Sequence, residues 1–157
     1  MSTGKGMNGT ILSALKLFFT EDDWTYSQLS ESPILQMGFS GANGSWRCYA
    51  QAREEKEQFV YYSVMESRVP ETKRLEIAEF LTRANFGLIV GNFEMDFSDG
   101  EVRYKTSLDI EGGTLSNTMI KNLVYTNVLM MDRYLPGIMA VIYGDVAPED
   151  AIRNIEG

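Results

Sequence analysis

The chain has no histidine anywhere in its 157 residues. Ser-His-Asp triads, Cys-His pairs and histidine-bearing metal sites are therefore excluded. It has one cysteine, Cys48, so no intramolecular disulfide can form, and a reducing compartment suits it. No stretch approaches the roughly 20 apolar residues that a membrane-spanning helix needs. The first ten residues lack the long apolar segment of a secretory signal. A cytoplasmic location with no membrane attachment is the expectation. Cationic residues are also in deficit: 14 Lys and Arg against 22 Asp and Glu leave a net charge of −8. Nucleic acid would require a clustered basic face, so it is not an expected partner. Internal repeats, linkers and low-complexity runs are missing too. Gly4-Lys5-Gly6 is not a phosphate loop, because no strand precedes it and no Ser or Thr follows the lysine.

What is present suffices for one core. Hydrophobic residues make up 44% of the chain, an ordinary share for a globular domain. The reading is a flexible segment over residues 1–9 and a single α+β domain over 10–157, with no staple needed at this length.

From Thr10, Ile11, Leu12, Leu15, Phe18 and Phe19 recur at helical spacing, which predicts a helix ending near Thr20. Three strands follow, the last ended by Val69-Pro70. A two-residue turn at Asn43-Gly44 pairs Phe39 with Cys48, Met37 with Ala50 and Leu35 with Ala52. A turn at Glu55-Lys56 pairs Ala52 with Phe59, Ala50 with Tyr61 and Cys48 with Ser63. Both registers put the same residues on one face, because side chains alternate along a strand. A helix over 71–84 follows, with Ile77, Phe80, Leu81 and Ala84 as its stripe and Gly87 closing it. A second hairpin turns at Asp99-Gly100, with Phe97 opposite Val102, Asp96 opposite Arg103 and Glu94 opposite Lys105. Residues 115–135 form a long helix that Pro136-Gly137 kinks or stops, residues 138–143 a shorter one, and Pro148 starts a last amphipathic turn or two. The order is α-β-β-β-α-β-β-α-α: an antiparallel sheet with helices packed on one face.

The chemistry-bearing residues have structural roles close at hand. Cys48 falls on the inner face among alanines, where a thiol is inert. Asp96, Asp99 and Glu101 around Gly100 hold too little of a calcium-loop pattern, and the Asp-Gly turn accounts for them. Glu94, Asp96 and Asp109 as an acid/base set have no setting that would perturb them. No catalytic, cofactor-binding or metal-ligating residue is assigned, and no enzymatic turnover is expected. The registers that bury Cys48 leave Arg47, Tyr49, Val60, Tyr62 and Val64, with Gln51 beside them, on the opposite face. Outward aromatic and β-branched residues are either ordinary strand formers or a surface for a partner. They are the candidate site.

The stretch EFLTRANFGLIVGNFEMDFSDGEVRYKTSLDIE, with Val69-Pro70 before it and Asn127, Asp132, Tyr134, Leu135 and Pro136 after it, resembles the YbjN family of bacterial proteins, associated with sensory transduction regulation. That resemblance spans roughly residues 60–145. It implies a fold similar to the type III secretion chaperones, small acidic proteins that act as homodimers and hold other chains. It carries no catalytic residues. It implies a homodimer with the helix at 71–85 at the contact and the sheet face left to a client. The expected function is a non-enzymatic, chaperone-like regulatory module that captures a segment of an unknown protein partner. The rival is a sensor that binds a small molecule between the C-terminal helices and the sheet.

Overall fold

The structure is a computed structural model that describes residues 9–157. The flexible segment expected over residues 1–9 lies outside the described residues, except for Gly9, which stands immediately before the first helix.

Helix α1 spans Thr10–Glu21 and buries Ile11, Leu12, Leu15, Phe18 and Phe19 along its apolar stripe. Its first N–H groups have no partner within the helix. The Glu54 carboxylate supplies one, accepting from Ile11 N–H at 3.2 Å and Leu12 N–H at 2.9 Å. Strands β1 (Tyr26–Gln28), β2 (Ile34–Ser40), β3 (Ser45–Arg53) and β4 (Gln58–Val64) follow. Helix α2 (Arg74–Asn85), entered through a short 3₁₀ turn at Glu71–Lys73, buries Ile77, Phe80, Leu81 and Ala84 as its spacing predicts. Then come β5 (Asn92–Asp96), β6 (Glu101–Asp109), α3 (Asn117–Tyr143) and α4 (Pro148–Glu156).

The strands form one antiparallel sheet in the order β1-β2-β3-β4-β6-β5. Strand β1 is absent from the order read off the sequence. Three residues are too few for a period, and Tyr26 is fixed from elsewhere: its hydroxyl donates to the Lys16 carbonyl of α1 at 3.2 Å. Strand β4 ends at Val64, short of the expected Val69-Pro70 boundary.

Both hairpins flanking these strands are shifted by two residues from the sequence reading. In the first, Met37 faces Cys48 and Leu35 faces Ala50, and the loop is Gly41–Gly44. In the second, Glu94 faces Arg103, Met95 faces Val102 and Asp96 faces Glu101, and the loop is Phe97–Gly100. The expected tight turn centred on Asp99-Gly100 and its Asp96–Arg103 pair are therefore wrong. The cause is the same in each case: a carboxylate satisfies the N–H groups of a wider loop. Asp132 of α3 accepts from Ala42 N–H (3.0 Å) and Asn43 N–H (2.8 Å). Asp96 accepts from Ser98 N–H (2.8 Å) and the Ser98 hydroxyl (2.6 Å), and its carbonyl takes Gly100 N–H (2.7 Å). A shift of two leaves the residues that stay in the strands on their expected faces, but Phe97, expected on the apolar face opposite Val102, falls in the loop with 54% of its surface exposed. The β3–β4 register, Ala52 with Phe59 and Cys48 with Ser63, is as derived.

Pro136 does not stop α3, which runs unbroken from Asn117 to Tyr143. A proline ring leaves the carbonyl four residues earlier without its helical donor. That carbonyl belongs to Asp132, and the Asn43 side-chain amide donates to it at 2.9 Å. The hairpin loop thus replaces the lost hydrogen bond. Gly137 then allows close contact: a Cβ there would stand 2.5 Å from Phe80 of α2 and 2.6 Å from Ile155 of α4.

Helices α1 and α3 lie over the inner sheet face, α2 covers β5, and α4 packs on α2 and α3. Asn127 of α3 anchors the two layers. Its amide donates to the Tyr61 carbonyl of β4 (2.9 Å), the Tyr104 carbonyl of β6 (3.1 Å) and the Thr106 hydroxyl (3.2 Å). No helix among the described residues is long and apolar enough to cross a membrane.

Candidate functional site

Among the described residues, helices cover one sheet face and leave the other as a surface. Its residues align in rows across the strands. One row runs Gly38, Arg47, Val64, Arg103 and Glu94, and the next runs Gln36, Tyr49, Tyr62, Lys105 and Asn92. A third holds Ile34, Gln51, Val60 and Ser107, and a fourth Arg53, Gln58 and Asp109. All of the sequence-derived candidates lie in the first three rows. Arg47 is exposed, while Tyr49, Tyr62 and Val64 are half-buried. Val60 is largely covered, with 8% of its surface exposed.

Tyr49 and Tyr62 are directly opposed across β3 and β4. The Arg103 guanidinium stands 4.2 Å over the Tyr62 ring, so one cation lies across the aromatic row. Arg103 Nε and Lys105 Nζ each donate to the Glu94 carboxylate at 2.7 Å. Burial opposes ionisation of Glu94, but the hydrogen bonds from Lys105 and Arg103 outweigh it and hold the carboxyl below its usual value. Two shallow hollows flank the tyrosine pair. One, of about 280 Å³, is lined by Gln51, Arg53, Val60, Tyr62 and Lys105 among others. The other, of about 290 Å³, holds Gln36, Gly38 and Arg47 beside the β1 edge.

The sequence reading missed Arg103, Lys105 and the β1–β2 side of the face. It paired Arg103 and Lys105 with β5 alone, because β4 and β6 meet across an intervening helix and strand. The available signal was the polar alternation of β6, which marks its outer side but not its neighbour.

The other candidates take structural positions. Cys48 is fully buried, and burial pushes its thiol above the ordinary value. Asp96 and Asp99 serve the β5–β6 loop, the latter accepting from Glu101 N–H at 3.0 Å and pairing with Arg68. Asp109 accepts from Glu111 N–H at 2.9 Å. No cluster of three or more His, Cys, Asp or Glu side chains suited to a metal ion occurs among the described residues.

The family model YbjN, described as "Putative bacterial sensory transduction regulator", matches residues 12–139. No curated protein matches the sequence. Among solved structures, the chain is similar to YbjN from E. coli, described as "a putative transcription regulator", at TM-score 0.59 and 11% identity, over 77% of this chain and 85% of that one. It is also similar to a chain of the HopA1-SchA chaperone-effector complex, at TM-score 0.52 and 14% identity, over 79% and 91%. A third likeness is to the structure of the Yersinia pestis type III secretion chaperone SycH with a fragment of YscM2, at TM-score 0.50 and 17% identity, over 76% and 94%. At these identities the likenesses show the fold: an α+β sheet of the type III secretion chaperone kind.

Proposed function

We propose that this chain, which belongs to the YbjN family, is a non-enzymatic, chaperone-like regulatory module that captures a segment of another protein on the helix-free face of its sheet. The observation that carries the reading is the opposed pair Tyr49 and Tyr62, half-buried and open to solvent, with Arg47 and Val64 beside it. Aromatic and arginine side chains are the residues that most often dominate a protein interface. The fold supports the same reading, since two of the similar structures are of chaperones solved with a bound effector or fragment. The work would be done in the cytoplasm.

The module acts as a C₂ homodimer through α2 and the loop after it. Leu75 and Phe86 stand at the two ends of α2 with 80% and 89% of their surfaces exposed, and Ile89 in the following loop is 92% exposed. A second copy would cover these residues and leave the sheet face free. The small-molecule reading has less support. Ile120, Val124, Val128 and Met131 of α3, each without exposed surface, fill the layer between that helix and the sheet.

The test is affinity capture from native lysate with mass spectrometry, run beside Tyr62→Asp. The expected result is a protein enriched on the wild-type chain and lost with Tyr62→Asp, while sedimentation reports dimers of both. The same proteins recovered on both forms would overturn the binding face. A monomer at high concentration would overturn the dimer.

A further inference from the structure

The outer faces of β1 to β4 carry Ser27, Ile34, Gln36, Gly38, Ser40, Ser45, Arg47, Tyr49, Gln51, Arg53, Gln58, Val60, Tyr62 and Val64. No carboxylate is among them, in a chain with 22 acidic residues. Arg47 forms no ion pair among the described residues, and Arg53 donates only to the neutral Gln58 amide, at 3.0 Å. Lys105 continues the tyrosine row on β6, with its charge already paired to Glu94 at 2.7 Å. On the β1–β4 half of its helix-free face, a protein of net charge −8 thus presents two arginines of one strand, Arg47 and Arg53, that form no ion pair among the described residues. The carboxylates of that face lie on β5 and β6: Glu94 is taken up by Arg103 and Lys105, and Asp109 reaches the Arg53 row only through the Gln58 amide, at 3.4 Å.

We propose that this face takes an extended, acidic-aliphatic segment of a partner, laid along β3. The inference rests on the binding reading above and states what the bound segment looks like. Arg47 and Arg53 lie six residues apart on β3, a separation of about 20 Å in an extended strand. A bound segment that is also extended matches this with carboxylates at positions i and i+6. Positions i+2 and i+4 on the same side then lie over the tyrosine row and the Val60 row, where aliphatic side chains suit them. The hollow at Gly38 admits the end of the segment beside Arg47. That glycine is not required by the fold, because a Cβ there would meet only the Trp46 carbonyl oxygen, at 3.9 Å. Its effect is to keep the surface low next to the cation.

The experiment uses the full chain and defined peptides. The first probe is a 12-residue peptide with Glu at i and i+6, Leu at i+2 and i+4, and Ser elsewhere. The second replaces both Glu by Lys, and the third places the carboxylates at i and i+3. Titration calorimetry and amide chemical shifts are the readouts. The acidic peptide is expected to bind, to shift the amides of Arg47, Tyr49, Tyr62 and Lys105, and to weaken several-fold between low and high salt. The Lys and i+3 peptides are expected to bind at least tenfold more weakly. Arg47→Glu with Arg53→Glu should cost tenfold or more, and Gly38→Thr should weaken binding while leaving Tm unchanged or raised. Equal binding of the Lys peptide, or shifts confined to α2 or the β5 edge, would overturn the proposal. So would tighter binding of a 12-mer of thymidine, or of phosphatidylserine vesicles, in which case the face reads a polyanion or a lipid surface. Suppression of insulin B-chain aggregation separates the two levels. Protection undiminished by the double Arg variant, with no peptide binding, sinks the acidic segment and leaves the protein-binding reading standing. No protection and no peptide binding sinks both.

Discussion

At the scale of single residues, glycine and tyrosine carry the clearest expectations. Gly100 has φ +81°, and a Cβ there would stand 2.9 Å from Val69 N. Gly100→Val adds a left-handed penalty to that clash and should destabilise the fold by at least about 2 kcal/mol in urea unfolding. Tyr104 and Tyr134 supply a pH signature. Burial first, and then the neighbouring Tyr134, push the Tyr104 hydroxyl up to about 12. Burial, and then the hydrogen bond to Glu156, push Tyr134 up to about 12. An acid with its folded value raised holds its proton longer in the native state than in the unfolded chain. Its contribution is whole below pH 10 and is lost as pH rises towards 12. Ultraviolet titration should find these two buried phenols ionising late, and denaturant midpoints should fall steadily across that window. Tyr104→Phe should flatten the fall.

At the scale of elements, the joint between the first hairpin and α3 is the most informative. Asn43, Asp132 and Pro136 form one unit: the proline frees a carbonyl, the asparagine takes it up, and the aspartate holds the loop. Gly41 belongs to the same unit, because a Cβ there would collide with the Asp132 carboxylate. Asp132→Ala removes the acceptor for two backbone donors and should cost about 1–3 kcal/mol. Asn43→Ala should cost about 1 kcal/mol and raise hydrogen exchange of the α3 amides on either side of Pro136. Pro136→Ala restores a helical donor to the Asp132 carbonyl. Combined with Asn43→Ala, it should recover most of that loss in a double-mutant cycle.

At the scale of the whole molecule, the layers are held in register by a polar contact inside an apolar core. Asn127, with no exposed surface, joins α3 to β4 and β6 at the point where these non-consecutive strands meet. Asn127→Leu keeps the volume but leaves the Thr106 hydroxyl without this donor. It should cost about 1–3 kcal/mol, with the loss seen as one cooperative transition rather than detachment of α3.

The amino-acid sequence by itself determined which residues face inward. Period-two alternation in β2, β3, β4 and β6 and the helical stripes of α1 and α2 reflect local backbone geometry, which the chain carries wherever it folds. It also determined which chemistries are closed, since an absent histidine is absent in any fold. What only the tertiary structure decided was alignment. Alternation is blind to a shift of two, so both hairpin loops were chosen by carboxylates: Asp132 from a distant helix and Asp96 from its own strand end. Helix α3 passes Pro136 because Asn43 reaches it from a loop 89 positions away in sequence from Asp132. The pairing of β4 with β6 sets Arg103 and Lys105 beside Tyr62. Each of these depends on groups far apart along the chain, whose meeting is favourable only once the core has brought them together.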